Sequence, residues 1–300
     1  MRFLCLVFCT AGCLHDSRTP QEAGTFPDAS SVDGGAPVLL DGGGNSDEEA
    51  LCLTLDVEYH RMLCLEDKVK RMVATEGPLA ALCYSESLII RRAMTNCHLL
   101  GHYVGEALLA FHDDWVAAFS ACPEGCQYGC HHGVLEGYVA QQALRPDEAE
   151  VAIRGIAREV ADICDSLSAR DEPPWSRCVH GLGHGLVASG YLSLETVVSV
   201  CEGSGDITFT VTCLGGAFME WVDRYLEISE EELLELTPQI CPEFENWRHR
   251  QLCASAVGEG FMWFTAMDTE RAQEMCGYVG DFQEGVWCRE GAREARTGRG

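Results

Sequence analysis

EAEVAIRGIAREVADIC (residues 148–164), followed by DSLSARDEPPWSR and then CVHGLGHG (residues 178–185), holds one complete unit of this chain. In the first part, apolar residues recur at spacings of three and four, the pattern of an amphipathic helix, with Asp147 placed to cap it. Cys164 closes that helix, a loop follows, and Cys178 opens a second apolar, glycine-rich segment. The plan recurs along the chain. SLETVVSVC, with Ser193 as cap, precedes CLGGAFMEWVDRYL from Cys213, and CASAVGEGFMWF runs on from Cys253. Fourteen of the 18 cysteines form consecutive pairs: Cys52/Cys64, Cys83/Cys97, Cys122/Cys130, Cys164/Cys178, Cys201/Cys213, Cys241/Cys253 and Cys276/Cys288. The second members are separated by 33, 33, 48, 35, 40 and 35 residues, the period of helical-hairpin repeats. The expected fold is therefore all-α, a solenoid or α/α toroid of about seven helical hairpins, each stapled by one disulfide. The second helix of each hairpin is expected to start at the second cysteine. A staple closing about a dozen residues contributes about 3 kcal/mol in the chain-entropy model, which suits first helices of only two to four turns.

Composition sets limits on function. The chain has 300 residues, 47% of them hydrophobic, enough to bury a full core. Its 21 basic and 47 acidic side chains give a net charge of −26, which repels a phosphate backbone and an anionic membrane surface, so nucleic acid is excluded as a partner. Eighteen cysteines with no CxxC cluster indicate a disulfide framework made in an oxidising compartment.

The two ends read differently from the body. Met1 and Arg2 form a minimal basic start, Phe3 to Ala11 a short apolar core, and TAGC ends at Cys13. That ending resembles the lipobox of bacterial lipoproteins. The resemblance implies cleavage before Cys13, lipidation of its thiol, and a periplasmic or cell-surface protein that meets the membrane through its lipid anchor only. Residues 14–50 are rich in Gly, Ser, Asp and Pro and show no helical or strand period, so they are expected to form a flexible linker. The repeat domain is expected over residues 51–294, with a disordered tail at 295–300. No later apolar run reaches the ~18 residues needed to span a bilayer.

The disulfide-tied hairpins resemble the cysteine-rich Sel1-like repeat proteins. The likeness is architectural and loose over residues 51–294, since the regular Gly and Ala pattern of that family is absent and the period wanders.

The segments after the second cysteines carry the chemistry. Counted from each second cysteine, glycine recurs at +3 (Gly133, Gly181, Gly216, Gly291) and at +7 (Gly137, Gly185, Gly260). An interior helical glycine costs ~1 kcal/mol relative to alanine, so these need a compensating gain, either close helix packing or backbone approach to a ligand. Positions +2 and +6 hold His132 with Glu136, His180 with His184, and Glu290 with Glu294. His98 and His102 lie at +1 and +5, Glu220 at +7 and Glu259 at +6. Residues four apart stand above one another on a helix, so each pair can present two donors to one ion.

Histidine at a helix N-terminus gains nothing from the helix dipole when charged, so neutral imidazoles held for ligation or proton transfer account better for the cluster. The expected ligands are His98, His102, His132, Glu136, His180 and His184 on a concave face. Glu136, Glu220 and His131 are the candidate acid–base residues. Imidazole and carboxylate donors suit Zn, Fe, Mn or Cu, as one ion or two. Such a site is similar in principle to that of the helical-repeat di-iron hydroxylases of the deoxyhypusine hydroxylase type, although their HE dipeptides are missing. One cysteine is left over in ACPEGCQYGC, where Cys122 is expected to bond Cys130. That leaves Cys126 as a free thiol beside His131, or swapped with Cys122. No GxSxG, HExxH, P-loop or dinucleotide fingerprint occurs. The expectation is a lipid-anchored metalloenzyme, hydrolase or oxygenase, acting on a small molecule or peptide. The competing reading is a non-catalytic scaffold of the cell envelope that docks a peptide or protein.

Overall fold

The computed structural model describes residues 45–112, 114–142, 149–170 and 172–297. Cys13, the lipobox, most of the expected linker and Asp147 lie outside the described residues. The chain divides into Met1–Ala50 and Leu51–Gly300, and the second unit is the subject below.

Every regular element among the described residues is helical. In chain order these are α1 (Asn45–Cys52), α2 (Glu58–Cys64), α3 (Glu66–Glu76), α4 (Pro78–Ile90), α5 (His98–Leu109), α6 (Trp115–Ala121), α7 (Gly129–Gln142) and α8 (Ala149–Leu167). They continue with α9 (Pro173–Ala188), α10 (Leu194–Glu202), α11 (Ile207–Asp223), α12 (Glu230–Ile240), α13 (Trp247–Phe264), α14 (Thr269–Met275) and α15 (Phe282–Thr297). Helix therefore begins within the stretch read as linker and ends three residues past 294. No helix among the described residues is long and apolar enough to cross a membrane.

The outer helices behave as their sequence period demands. In α8 the buried residues Ile153, Ile156, Ala157, Val160 and Cys164 form one stripe, and Ser193 caps α10 by accepting from the Thr196 N–H. Expectation and structure part at the start of the inner helices. Only α5 and α7 begin beside a cysteine of the motif, whereas α9, α11, α13 and α15 start five or six residues before Cys178, Cys213, Cys253 and Cys288. Local chemistry supplies those earlier starts: prolines occupy the first turn of α9, and Asp206 accepts from the Phe209 N–H at the head of α11. The second cysteine thus lies inside the helix, where its staple also pins the second turn.

Six of the seven expected staples form: Cys52–Cys64, Cys122–Cys130, Cys164–Cys178, Cys201–Cys213, Cys241–Cys253 and Cys276–Cys288. The expected Cys83–Cys97 bond does not. Cys97 bonds Cys126, 29 residues on, and Cys83 is disulfide-bonded elsewhere, so Cys126 is not a free thiol. The physical reason is the turn between α6 and α7. Cys126, Gln127 and Tyr128 all take left-handed φ angles of 42°, 52° and 64°, which turn the Cys126 side chain onto the start of α5.

The inner helices α3, α5, α7, α9, α11, α13 and α15 pack consecutively, each on the next. Glycine permits three especially close pairs. A methyl group on Gly133 would overlap the His102 carbonyl, and one on Gly105 would overlap the Cys130 carbonyl, so α5 and α7 meet backbone to backbone. Gly183 and Gly216 do the same for α9 against α11, and Gly258 and Gly291 for α13 against α15. Close helix packing is the gain that offsets the cost of glycine at these positions. The array then curls back on itself. Helix α2 packs on α13, His60 Nε2 lies 3.0 Å from the Glu227 carbonyl oxygen, and the Trp263 ring of α13 sits 5.4 Å from that of His98 on α5.

A candidate metal centre of four histidines

The curl gathers side chains from three neighbouring inner helices. His98 and His102 project from α5, one helical turn apart, His132 from α7 and His184 from α9. One ring nitrogen from each lies within 4.8 Å of the other three. All four are buried, at 4%, 1%, 6% and 0% exposure, so no bulk water competes for these nitrogens. Burial pushes His102 down to about 4 and holds His98, His132 and His184 well below the usual imidazole range, with the neighbouring histidines adding to the effect at His98, His132 and His184. At neutral pH they are uncharged and offer lone pairs.

Three of the rings are anchored from behind. His98 Nδ1 lies 3.2 Å from the Cys126 carbonyl oxygen, which can only accept, so that nitrogen carries the hydrogen. His102 Nδ1 lies 2.8 Å from Glu136 Oε2, and His184 Nδ1 lies 3.2 Å from Glu220 Oε2. This is the arrangement in which ligating imidazoles are held, with the outer nitrogen bonded to a carboxylate or carbonyl and the inner one free.

The inner nitrogens lack ordinary partners. His184 Nε2 and His132 Nδ1 are buried without a hydrogen bond. His98 Nε2 and His102 Nε2 are 3.1 Å apart. With Glu136 ionised, both carry lone pairs, and two lone pairs at that distance repel unless a cation lies between them. The separation itself fits a shared ion. Metal–nitrogen bonds of about 2.0–2.1 Å place neighbouring ligands ~2.8–3.0 Å apart in an octahedron and ~3.3–3.4 Å apart in a tetrahedron. In the absence of a cation the pair is satisfied by a proton, donated through a protonated Glu136, whose carboxyl is pushed up to about 8 by burial and by Glu106.

The carboxylates form a second layer. Atoms of His102, Glu136 and Glu220 also lie within 4.8 Å of one another. Burial, and then the charge of Glu136 at Glu220 and of Glu220 at Asp223, hold both carboxyls well above the carboxylate range, and Asp223 Oδ1 is buried without a partner. Both groups could hold a metal ion, the all-histidine one with neutral donors only.

Not every expected ligand joins the group. His180 stands beside it, with its ring 4.8 Å from that of His132 and 5.0 Å from that of His184, but outside the set of four. Glu136 and Glu220 stand behind the imidazoles. His131 turns away, because one step along a helix rotates a side chain by about 100°; its ring packs 4.7 Å from that of Phe119. Glu259 and Glu294 line a cleft of about 670 Å³ that reaches His132 and His180. Asp223 was legible in the sequence as the residue three beyond Glu220 on one helical face, whereas the Cys126 carbonyl and Trp263 had no signal there.

No protein-family model, curated protein or solved structure matches the chain.

Proposed function

We propose that this chain is an extracytoplasmic metalloprotein that binds one transition-metal ion through His98, His102, His132 and His184 and uses it as an enzyme. The convergence of four neutral imidazoles, three of them anchored at Nδ1, carries this reading. Imidazole-only donors suit Zn, Cu and Fe better than Mn, which favours oxygen ligands. The disulfides already hold the fold, so a purely structural zinc would add little. Six-coordinate iron or copper would keep open positions for a substrate or dioxygen, which favours an oxygenase-type reaction over a zinc hydrolase, whose ion keeps three protein ligands.

The chain's own groups supply the rest. Glu136 and Glu220 orient His102 and His184 and can exchange a proton with them. The Cys126 carbonyl fixes the tautomer of His98. The cleft that ends at His132 admits a small molecule or the end of a peptide. Oxidised cysteines support an extracytoplasmic location, and the TAGC sequence supports a tether through the lipidated Cys13.

Metal analysis of the full chain produced in an oxidising compartment tests the reading. One equivalent of a first-row metal is expected, absent from the His102→Ala/His184→Ala variant. A wild-type protein without stoichiometric metal, and unable to take any up, would sink it.

A further inference from the structure

The four histidines are nearly sealed from solvent, and an ion has to reach them. Two clefts approach. One, of about 590 Å³, reaches Glu136 and is lined by Lys70, Glu106 and Phe111. Its carboxylate Glu106 is already engaged by a cation, since Lys70 Nζ is 2.6 Å from both Glu106 Oε2 and Glu66 Oε1. The other, of about 670 Å³, is lined by Glu294, Glu259, His180 and His132. Of the four buried histidines, His132 alone lines it, and its Nδ1 is buried without a partner.

We infer that the cleft lined by Glu294 and Glu259 is the loading path for the metal, and that His180 is the transient ligand that hands the ion to the four buried histidines. The inference rests on the metal reading above and specifies how that site is filled. Donors along the path change in the order a hydrated cation requires. Glu294 is exposed and Glu259 is partly buried beside it; burial, with the Glu294 charge adding to it, raises Glu259 to about 7, and a passing cation relieves the repulsion between the two carboxylates. His180 follows, half-buried and touching two of the final ligands. It also has room to turn, because the facing residue is Gly215, where even an added methyl group would stay 3.4 Å from His180 Nδ1. The equivalent position is His132, His180 or Glu290 in three other units, so a side chain there is compatible with the repeat. Arg177 also lines this cleft, but its guanidinium is stacked 3.3 Å over the Tyr128 ring and lies 3.6 Å from Glu124, which offsets its charge.

Stopped-flow uptake of Co(II) by the metal-free, fully oxidised full chain, read by its visible absorption, tests the path. His180→Ala is expected to load roughly 10-fold or more slowly, while reaching the wild-type stoichiometry and affinity. Glu259→Gln/Glu294→Gln is expected to slow loading at low salt, with the difference shrinking as salt screens the carboxylates. Loading of His180→Ala at the wild-type rate would overturn the inference, and so would a loss of affinity as large as that of His184→Ala, which would make His180 a permanent ligand. Should His180→Ala fail to fold, the carboxylate variant decides: a wild-type rate at low salt overturns the path. A wild-type chain that takes up no cobalt removes the metal reading itself and is distinguishable from all of these.

Discussion

Helices α5 and α7 and helices α13 and α15 have the same backbone arrangement and different chemistry. In both pairs glycine on one helix meets a carbonyl on the other, Gly133 against His102 and Gly105 against Cys130 in the first, Gly291 against Ser255 and Gly258 against Cys288 in the second. In both, a disulfide ties the second helix of the pair to the short helix before it. Yet the first pair carries His98, His102, His132 and Glu136 around the candidate metal centre, whereas the second carries Ser255, Glu259, Glu290 and Glu294, of which Glu259 and Glu294 line a cleft. Glycine and cystine build the frame, and the side chains at +1 and +5 or at +2 and +6 decide whether a unit ligates or merely lines an approach.

The comparison breaks first at the frame. Gly133→Ala and Gly291→Ala each put a methyl group into a backbone carbonyl that cannot swing aside, and each is expected to cost about 3 kcal/mol or more, read from thermal or denaturant unfolding. A tolerant Gly291 beside an intolerant Gly133 would show that the two pairs are not equivalent. Gly155→Ala, on the exposed face of α8 with no neighbour within 4 Å, should instead stabilise by about 0.5–1 kcal/mol. The chemistry comes next. Glu136→Gln and Glu220→Gln should weaken metal binding about 10–100-fold by releasing the rings they orient, measured by competition with a chelator, while Glu259→Gln leaves equilibrium affinity unchanged.

A smaller effect separates the Cys97–Cys126 disulfide from the regular staples. Cys97→Ser/Cys126→Ser frees the turn whose carbonyl holds His98, so metal affinity should fall by roughly 10-fold. The matching change at Cys276 and Cys288 should lower only the melting temperature. Equal effects on affinity would deny the turn its orienting role. The smallest effect is in pH. Glu259 is raised from 4.5 to about 7 in the folded chain, so the folded state holds its proton more tightly than the unfolded one. Its contribution to stability is present below about pH 4.5 and is lost as pH rises through about 7. Glu259→Gln should flatten that part of the melting-temperature profile, and an unchanged slope would show that the carboxyl is not the titrating group.

Much of the frame was legible. The separation of 12 or 14 residues between most paired cysteines announced the staples, and glycine at +3 announced close helix packing. Cys97 shows where that reading stops. A cysteine 14 residues away is a good partner by spacing, but a disulfide needs its two Cα atoms within about 7 Å; the left-handed turn at 126–128 brings Cys126 to 5.1 Å from Cys97. The helix starts misled for a related reason, since capping residues upstream of Cys178, Cys213, Cys253 and Cys288 outweigh the motif boundary.

The sequence by itself determined that this is an all-helical, cystine-stapled repeat, and that its histidines stand at spacings of four on inner helices. Both follow from local periodicity, which one chain segment carries without its neighbours. Only the tertiary structure decided which histidines meet. The curl of the array brings α5, α7 and α9 close enough for four rings to share one volume, leaves His180 beside them and turns His131 against Phe119. Convergence of that kind depends on how neighbouring helices pack and on the direction each side chain takes from its own helix, and neither is written in any single repeat.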